Sequence, residues 1–122
     1  MRHIVKDFDK FENFTRDEMK CPCCGRCNVD LEFMSRLQAA RTMAGIPFNI
    51  NSGFRCNYHN SEVGGVVGSL HTFGEAVDIQ IGSDRERFII ARALLLVGFT
   101  HIKVKQNYIH IDSSDKLALW LN

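Results

Sequence analysis

Two short segments near the C-terminal end constrain the fold more than any other feature of the sequence. In residues 101–105 and 108–112 apolar and polar side chains alternate, which is typical of β-strands with one buried face. The two residues between them, Gln106 and Asn107, are enough for a tight hairpin turn. With that turn, the polar face carries two opposed pairs, Lys103 with His110 and His101 with Asp112. The sequence therefore predicts a hairpin whose polar side lines a groove.

Two main helices are predicted around a further strand. Asn28 is a capping residue type ahead of apolar positions at helical spacing, and this helix is expected to stop at Gly45. Residues 83–86 form a Ser-Asp-Arg-Glu capping box, and the helix that follows is expected to stop at Gly98. Between the helices, residues 76–81 alternate like a half-buried strand. The predicted fold class is α+β, with a small antiparallel sheet packed against two main helices.

Size and composition favour a single domain spanning residues 1–122. Of the 122 residues, 45% are hydrophobic and 24% are charged, which is the mixture of an ordinary globular protein. We expect Phe88, Leu94, Leu95 and Trp120 in its core. A formal net charge of +1 argues against a protein that coats nucleic acid. We also expect no membrane-spanning segment, and a monomer.

The five cysteines are the least ordinary part of the composition. Four of them, Cys21, Cys23, Cys24 and Cys27, lie within seven residues. An odd number of cysteines argues against the disulfide framework of a secreted protein. The spacing fits either half of a zinc ribbon, whose second cysteine pair is missing, or reduced thiols packed in a tight turn. Cys56 lies apart, and no pattern in the sequence places it near the others.

Two histidines and an aspartate form the candidate chemical site. His71 precedes the strand at 76–81, Asp78 falls on the polar face of that strand, and His110 falls on the polar face of the hairpin. Two imidazoles and one carboxylate can hold a zinc ion and leave a fourth position for water or substrate. By spacing alone, a surface histidine, an aspartate in a salt bridge and a strand histidine explain the same residues equally well.

Residues 69–78 add a specific pattern, Ser-x-His-x-x-Gly-x-Ala-x-Asp. This pattern resembles the signature of the zinc D-alanyl-D-alanine carboxypeptidase family. That family also includes phage L-alanyl-D-glutamate endolysins, and it is related to the lysostaphin and hedgehog group. Three further segments agree with the resemblance: Ser-Gly-Phe-Arg at 52–55, the glycine pair at 64–65 and Tyr-Ile-His-Ile-Asp at 108–112. The resemblance implies a hedgehog- and D-Ala-D-Ala-peptidase-like fold over nearly the whole chain.

The resemblance also implies a role for individual residues. His71, Asp78 and His110 would bind one catalytic zinc ion. Arg55 would bind a substrate carbonyl or carboxylate and stabilise the developing oxyanion, a role that suits a permanently charged guanidinium. Ser69 matches a position that contacts substrate or supports the metal ligands.

One position departs from the family pattern. Many members carry an acidic general base three residues before the last zinc ligand, and here that residue is Asn107, which does not usefully accept a proton. His101 and Asp112 lie on the polar face of the hairpin and are equal candidates for the base, and Glu75 lies close to the metal motif in sequence. Asp112 is equally suited to orient a ligand imidazole.

The resulting hypothesis is a zinc peptidase that hydrolyses peptide bonds in peptidoglycan stem peptides, as an endolysin or phage tail component does. The alternatives are a zinc-containing binding module of the same fold that has lost catalysis, and a peptidase for free D-Ala-D-Ala or another small peptide. Residues 1–10 lack the apolar core of a secretory signal, which predicts synthesis in the cytoplasm and access to the wall through a pore-former or a phage particle. Lys103 and Lys105 would either contact an anionic stem peptide or keep the hairpin soluble.

Overall fold

The computed structural model describes residues 3–121, with side chains for residues 3–119. Its centre is a five-stranded sheet with the strand order β1-β2-β4-β3-β5. All neighbouring strands are antiparallel except β3 and β5, which run parallel. The strands are β1 Ile50–Ser52, β2 Ala76–Gln80, β3 His101–Val104, β4 Tyr108–Asp112 and β5 Ala118–Leu121.

The predicted hairpin is confirmed in its register. β3 and β4 pair His101 with Asp112 and Lys103 with His110. The backbone N–H of Lys105 donates to the carbonyl of Tyr108 at 2.8 Å, which closes the two-residue turn. The alternation of side chains is also confirmed, since Ile102, Val104, Ile109 and Ile111 are buried.

Four α-helices accompany the sheet: α1 Arg16–Met19, α2 Leu31–Ala44, α3 Asn57–Glu62 and α4 Asp84–Leu96. The long helices α2 and α4 pack on each other, and α4 also contacts β3. Their buried side chains join those of the sheet in one hydrophobic core. The predicted α+β class with two main helices is therefore confirmed.

The predicted cap of α2 is wrong by two residues. The N-cap is Asp30, whose carboxylate accepts a hydrogen bond from the backbone N–H of Phe33 at 3.0 Å. Asp30 is held there by its own N–H, which donates to the carbonyl of Gly74. At the other end, Gly45 adopts a left-handed φ of 70°, as expected for a residue that terminates a helix.

Two elements are not anticipated by the sequence patterns. The short helix α3 follows β1, and β5 extends the sheet parallel to β3 beyond the hairpin. β5 lies in a run of apolar residues without the polar alternation that marks the other strands. The sheet is therefore antiparallel, as predicted, except at this edge.

The expected core residues of α4 divide between its two faces. Leu94 is fully buried, whereas Phe88 is 64% exposed and Leu95 is 47% exposed, so the prediction is wrong for these two. The guanidinium of Arg92 covers the ring of Phe88 at 5.4 Å, which shields part of its apolar face on the outside of the helix. The side chain of Trp120 lies outside the described residues. None of the helices between residues 3 and 121 is both long and apolar enough to cross a membrane.

Candidate metal centre

The sheet and one tight turn bring the three predicted ligands together. β2 and β4 pair so that Asp78 lies directly opposite His110. His71 comes from a 3₁₀ turn, Leu70–Phe73, whose cap is Ser69; the Ser69 hydroxyl accepts from the backbone N–H of His71 at 3.2 Å. The turn ends at Gly74, where a left-handed φ of 69° leads the chain into β2.

Distances within this group fit a zinc ion. One ligand atom from each of His71, Asp78 and His110 lies within 4.8 Å of the other two. Oδ2 of Asp78 is 3.5 Å from His71 Nε2, and Oδ1 of Asp78 is 2.9 Å from His110 Nδ1. Tetrahedral zinc with ligands at about 2.0–2.1 Å requires ligand atoms roughly 3.3–3.4 Å apart. The two imidazoles and the carboxylate therefore need only small shifts to hold the ion.

Each imidazole is oriented by a hydrogen bond on its other nitrogen. Nδ1 of His71 lies 2.8 Å from the carbonyl oxygen of Gly53, which makes it the donor and leaves Nε2 facing Asp78. Nε2 of His110 lies 2.8 Å from the Asp112 carboxylate, so its Nδ1 faces Asp78. Partners of this kind hold metal-binding histidines in the correct tautomer and ring orientation.

Strong electrostatic coupling links the carboxylates and the imidazole of His110. Burial alone would raise the pKa of Asp78, but hydrogen bonds from His110 and His71 hold it well below its usual range. Burial would likewise lower the pKa of His110, but the hydrogen bonds to Asp112 and Asp78 raise it above its ordinary value. Without metal, a charged imidazolium at His110 would donate its Nε2 proton to Asp112 and its Nδ1 proton to Asp78. A divalent cation at this position would take the place of the Nδ1 proton.

Arg55 sits beside the candidate centre and is held by three side chains. Its Nε donates to the Ser52 hydroxyl at 3.0 Å, and its terminal nitrogens lie 3.2 Å from Asn60 Oδ1 and 3.4 Å from Asp78 Oδ2. A guanidinium has five N–H donors, so these three bonds leave donors for another oxygen. Sequence reasoning singled out Arg55 and the segment that begins at Ser52, but it assigned no role to Ser52 or Asn60, which fix the position of Arg55.

An open pocket of about 360 Å³ lies over these groups. Its walls include all three candidate ligands and both predicted substrate-binding residues, Arg55 and Ser69. Gly64 and Gly65, the glycine pair noted in the sequence, form part of one wall. Lys103, Lys105 and Tyr108 of the hairpin also line the pocket.

The candidate general bases are placed unequally. Asp112 is 5% exposed, and one of its oxygens lies 2.8 Å from His110 Nε2 and 3.0 Å from His101 Nδ1. That geometry makes Asp112 a positioning residue that joins two imidazoles. Asn107 is exposed in the turn, and Glu75 accepts a hydrogen bond from the Ser113 hydroxyl at 2.8 Å.

Comparison with known proteins agrees with this geometry. The sequence profile described as Peptidase M15 matches residues 12–112, which is most of the chain. The chain belongs to the peptidase M15 family. A zinc D-Ala-D-Ala carboxypeptidase from Streptomyces albus G is 36% identical over 106 residues, covering 74% of this chain and 39% of that protein. The M15 chain thus spans well under half the length of this relative. The resemblance inferred from residues 69–78 is confirmed at the level of the family.

A second cluster of possible metal ligands occurs in this M15 chain, and it differs from the predicted one. The sulfur atoms that lie together belong to Cys21, Cys23, Cys24 and Cys56. Cys27 is wrongly included by sequence spacing: it is buried apart from the others, with its sulfur 3.9 Å from the carbonyl oxygen of Arg16. Cys56 is 35 residues from Cys21 in the sequence. Tertiary packing brings it into the cluster, so no local pattern reveals it.

The sulfur atoms of this cluster have unequal acidities. Burial would raise the pKa of Cys21, but backbone N–H groups, that of Cys56 foremost, outweigh it and lower the pKa to about 6. The hydrogen bond between Cys23 and Cys56, together with desolvation, raises the pKa of Cys23 to about 12. Desolvation also raises the pKa of the separate thiol of Cys27 to about 11. Backbone N–H groups therefore favour the thiolate at Cys21, whereas the raised pKa values of Cys23 and Cys27 favour the thiol.

Proposed function

We propose that this chain is a zinc metallopeptidase that hydrolyses a peptide bond in peptidoglycan stem peptides, either as a D-Ala-D-Ala carboxypeptidase or as an L-Ala-D-Glu endopeptidase. One observation carries the proposal. His71, Asp78 and His110 converge in the wall of an open pocket, with the Arg55 guanidinium beside them. Membership of a peptidase family and the zinc enzyme among its relatives support a zinc metallopeptidase.

Three protein ligands with an open side are the arrangement of catalytic rather than structural zinc sites. Zinc bound there supplies Lewis-acid activation of water and of a peptide carbonyl. Arg55 supplies a positive charge that complements the negative charge developing on the peptide carbonyl. Its contacts with Ser52 and Asn60 hold the guanidinium at the edge of the pocket. A fixed donor placed before reaction stabilises negative charge that develops on the carbonyl oxygen.

Proton movement at the site is assigned to the pair formed by His101 and Asp112. Asp112 keeps the Nε2 proton of His110 in place, so Nδ1 of that ring stays available as a ligand. His101 lies on the other side of the same carboxylate, and its side chain is 16% exposed. This pair is therefore the candidate for accepting the proton of the attacking water in place of an acidic residue at position 107.

The pocket also fits the charge of a stem peptide. Stem peptides carry free carboxylates, and the pocket presents Arg55, Lys103 and Lys105 around the candidate ligands. Positive charge in a cleft raises the local concentration of an anionic substrate. The same residues would orient a terminal or side-chain carboxylate next to the scissile bond.

The test uses the purified chain with isolated cell wall and with defined stem peptides, followed by mass spectrometry of the products. We expect cleavage that chelation abolishes and added zinc restores. Release of D-alanine identifies the carboxypeptidase type, and cleavage between L-alanine and D-glutamate identifies the endopeptidase type. His110→Ala should be inactive, while the control His3→Ala, which alters an exposed histidine outside the pocket, should retain activity. Unchanged substrates in the presence of bound zinc would refute the peptidase.

One observation favours a second candidate, a zinc-containing module that binds peptidoglycan without cleaving it. Asn107 occupies the position where the family pattern has an acidic base, and both carboxylates of the pocket wall, Asp78 and Asp112, are engaged by histidines. Co-sedimentation with cell wall together with absent product would support this module. Turnover of the same wall preparation would exclude it. An endolysin-like role further predicts lysis only when the chain is supplied outside the cytoplasmic membrane.

A further inference from the structure

Four cysteine sulfurs meet where the N-terminal arm, defined here as residues 3–29 ahead of α2, contacts Cys56. Cys23 Sγ lies 3.5 Å from Cys21 Sγ and 3.3 Å from Cys56 Sγ, and Cys21 and Cys56 are 3.6 Å apart. Cys24 completes the group, in which all sulfur atoms lie within 4.8 Å of one another. Two members are buried and two are exposed.

These separations match shared coordination of one ion. Sulfurs in a disulfide are about 2 Å apart, whereas four sulfurs around tetrahedral zinc, each at about 2.3 Å, are roughly 3.7–3.8 Å apart. The three closest separations, from 3.3 to 3.6 Å, are near the second value and far from the first. Four thiolates form a closed donor set, which is typical of structural zinc.

The backbone around the cluster has the form of a metal-binding turn. Cys21 and Cys24 have the Cys-x-x-Cys spacing of zinc sites and are followed by Gly25, whose φ of 76° lets the chain reverse. The N–H of Gly25 donates to the carbonyl of Cys21 at 2.9 Å. Two other backbone N–H groups point at sulfur atoms instead of oxygen. The N–H of Cys56 lies 3.5 Å from Cys21 Sγ, and that of His59 lies 3.4 Å from Cys56 Sγ.

We propose that Cys21, Cys23, Cys24 and Cys56 bind a structural zinc ion that is separate from the candidate catalytic centre. The ion would join the arm that precedes α2 to the start of α3. Cys56 directly follows Arg55, and α3 carries Asn60, which holds the Arg55 guanidinium. Binding at the cysteines would therefore stabilise the segment that presents Arg55 to the pocket.

Zinc content per chain tests this proposal directly. The protein is purified under reducing conditions, and zinc is measured by elemental analysis in five forms. We expect two zinc ions in the wild type and in the matched control Cys27→Ser, because Cys27 lies outside the cluster. Cys23→Ser and Cys24→Ser, which alter exposed side chains, should each retain one. His110→Ala should also retain one, which is held by the cysteines.

The counts separate this proposal from the proposed function. If Cys23→Ser and Cys24→Ser keep the wild-type zinc content, the cysteine site is wrong whatever the activity. If His110→Ala keeps the wild-type content while the cysteine variants lose one ion, the cysteine site stands and the catalytic site is wrong. Circular dichroism confirms that each variant is folded before its zinc is counted.

Cobalt provides a second readout that does not depend on activity. Cobalt bound by thiolates gives a sulfur-to-metal charge-transfer band in the near ultraviolet. We expect that band in the cobalt-loaded wild type and in His110→Ala, and a strongly reduced band in Cys23→Ser. A disulfide-linked pair, seen as a mass loss of two hydrogens in the protein as purified without reductant, together with no band after reduction, would overturn the proposal.

Discussion

The histidine–aspartate centre and the cysteine cluster are two candidate metal sites built on opposite principles. The first combines nitrogen and oxygen donors, lies in the wall of an open pocket, and has three protein ligands. The second has four sulfurs, which can satisfy a tetrahedral ion completely. A metal ion with three protein ligands has a coordination position left for water or substrate, whereas a metal ion with four protein ligands only holds the chain together. The difference in ligand number therefore separates a site for chemistry from a site for stability.

One segment, residues 53–56, connects the two. The carbonyl oxygen of Gly53 orients His71, Arg55 contacts Asp78, and the sulfur of Cys56 belongs to the cysteine cluster. Gly53 also lies against the arm, because the N–H of the next residue, Phe54, donates to the carbonyl of Met19 at 2.8 Å. A change that moves the backbone of this segment should affect both sites, and a change confined to one side chain should affect one.

Gly53→Ala should have the largest effect. A Cβ at this position would lie 2.7 Å from the carbonyl oxygen and 2.9 Å from the Cα of Met19, so the backbone of one segment must move. We expect a loss of about 2–3 kcal/mol of unfolding free energy and weaker zinc binding at both sites. Urea unfolding of the zinc-loaded protein measures this. Gly82→Ala is the control, because its Cβ would meet only a flexible glutamate side chain at 3.4 Å; equal stabilities for the two variants would contradict the close approach.

Arg55→Lys should damage activity while sparing both metals. Lysine keeps the charge but not the planar fork that reaches Ser52, Asn60 and Asp78 together. We expect kcat/KM for a stem peptide to fall by about 100-fold, the scale for loss of one oxyanion donor. Zinc content should remain that of the wild type. Loss of zinc along with activity would place Arg55 in metal binding instead of substrate binding.

Asp112→Asn should weaken only the histidine–aspartate centre. The amide loses the charge that holds the Nε2 proton of His110 and the ring of His101. Partners of this kind contribute roughly 10–100-fold to metal affinity. Competition with a chelator should therefore remove one zinc ion from the variant at a roughly 10–100-fold lower chelator concentration, with the cysteine-bound ion unchanged. Equal sensitivity of both ions would show that the sites are not independent.

Lys105→Ala should have the smallest effect, and only on substrate. Lys105 lines the pocket and its charge is partly exposed, so its attraction for an anionic peptide is screened by salt. We expect KM to rise by about two- to fivefold with kcat unchanged, and the difference to shrink as salt is added. Steady-state kinetics at two ionic strengths distinguish this from the alternative in which the lysine serves solubility alone, where KM stays constant.

Local patterns are sufficient to predict the hairpin and the ligand that lies on it. The register of His110 against Lys103 follows from strict alternation and a two-residue turn, both of which are local. The meeting of His71, Asp78 and His110 is expected only from the family resemblance of residues 69–78 and 108–112, because no local pattern pairs β2 with β4. Side chains placed on regular strands can therefore be assigned to a common face from the sequence alone.

Contacts between distant segments cannot be predicted in the same way. Asn28 and Asp30 are both capping residue types, and the choice between them depends on a hydrogen bond from Asp30 to Gly74 that no local pattern encodes. Cys56 reaches Cys21 only because Gly53 lets two segments approach at backbone distance. The parallel strand β5 is missed because an apolar run has no period to distinguish a strand from other buried structure.

The two candidate ligand imidazoles differ in how easily a substitution can disturb their orientation. His71 is oriented by a main-chain oxygen, that of Gly53, and every amino acid carries such an oxygen, so no replacement deletes the acceptor itself. His110 relies on the side chain of Asp112, which a single nucleotide change can remove. A single substitution would therefore loosen the ring of His110 more readily than that of His71, so the candidate centre is more sensitive to mutation on the β4 side than on the side of the 3₁₀ turn.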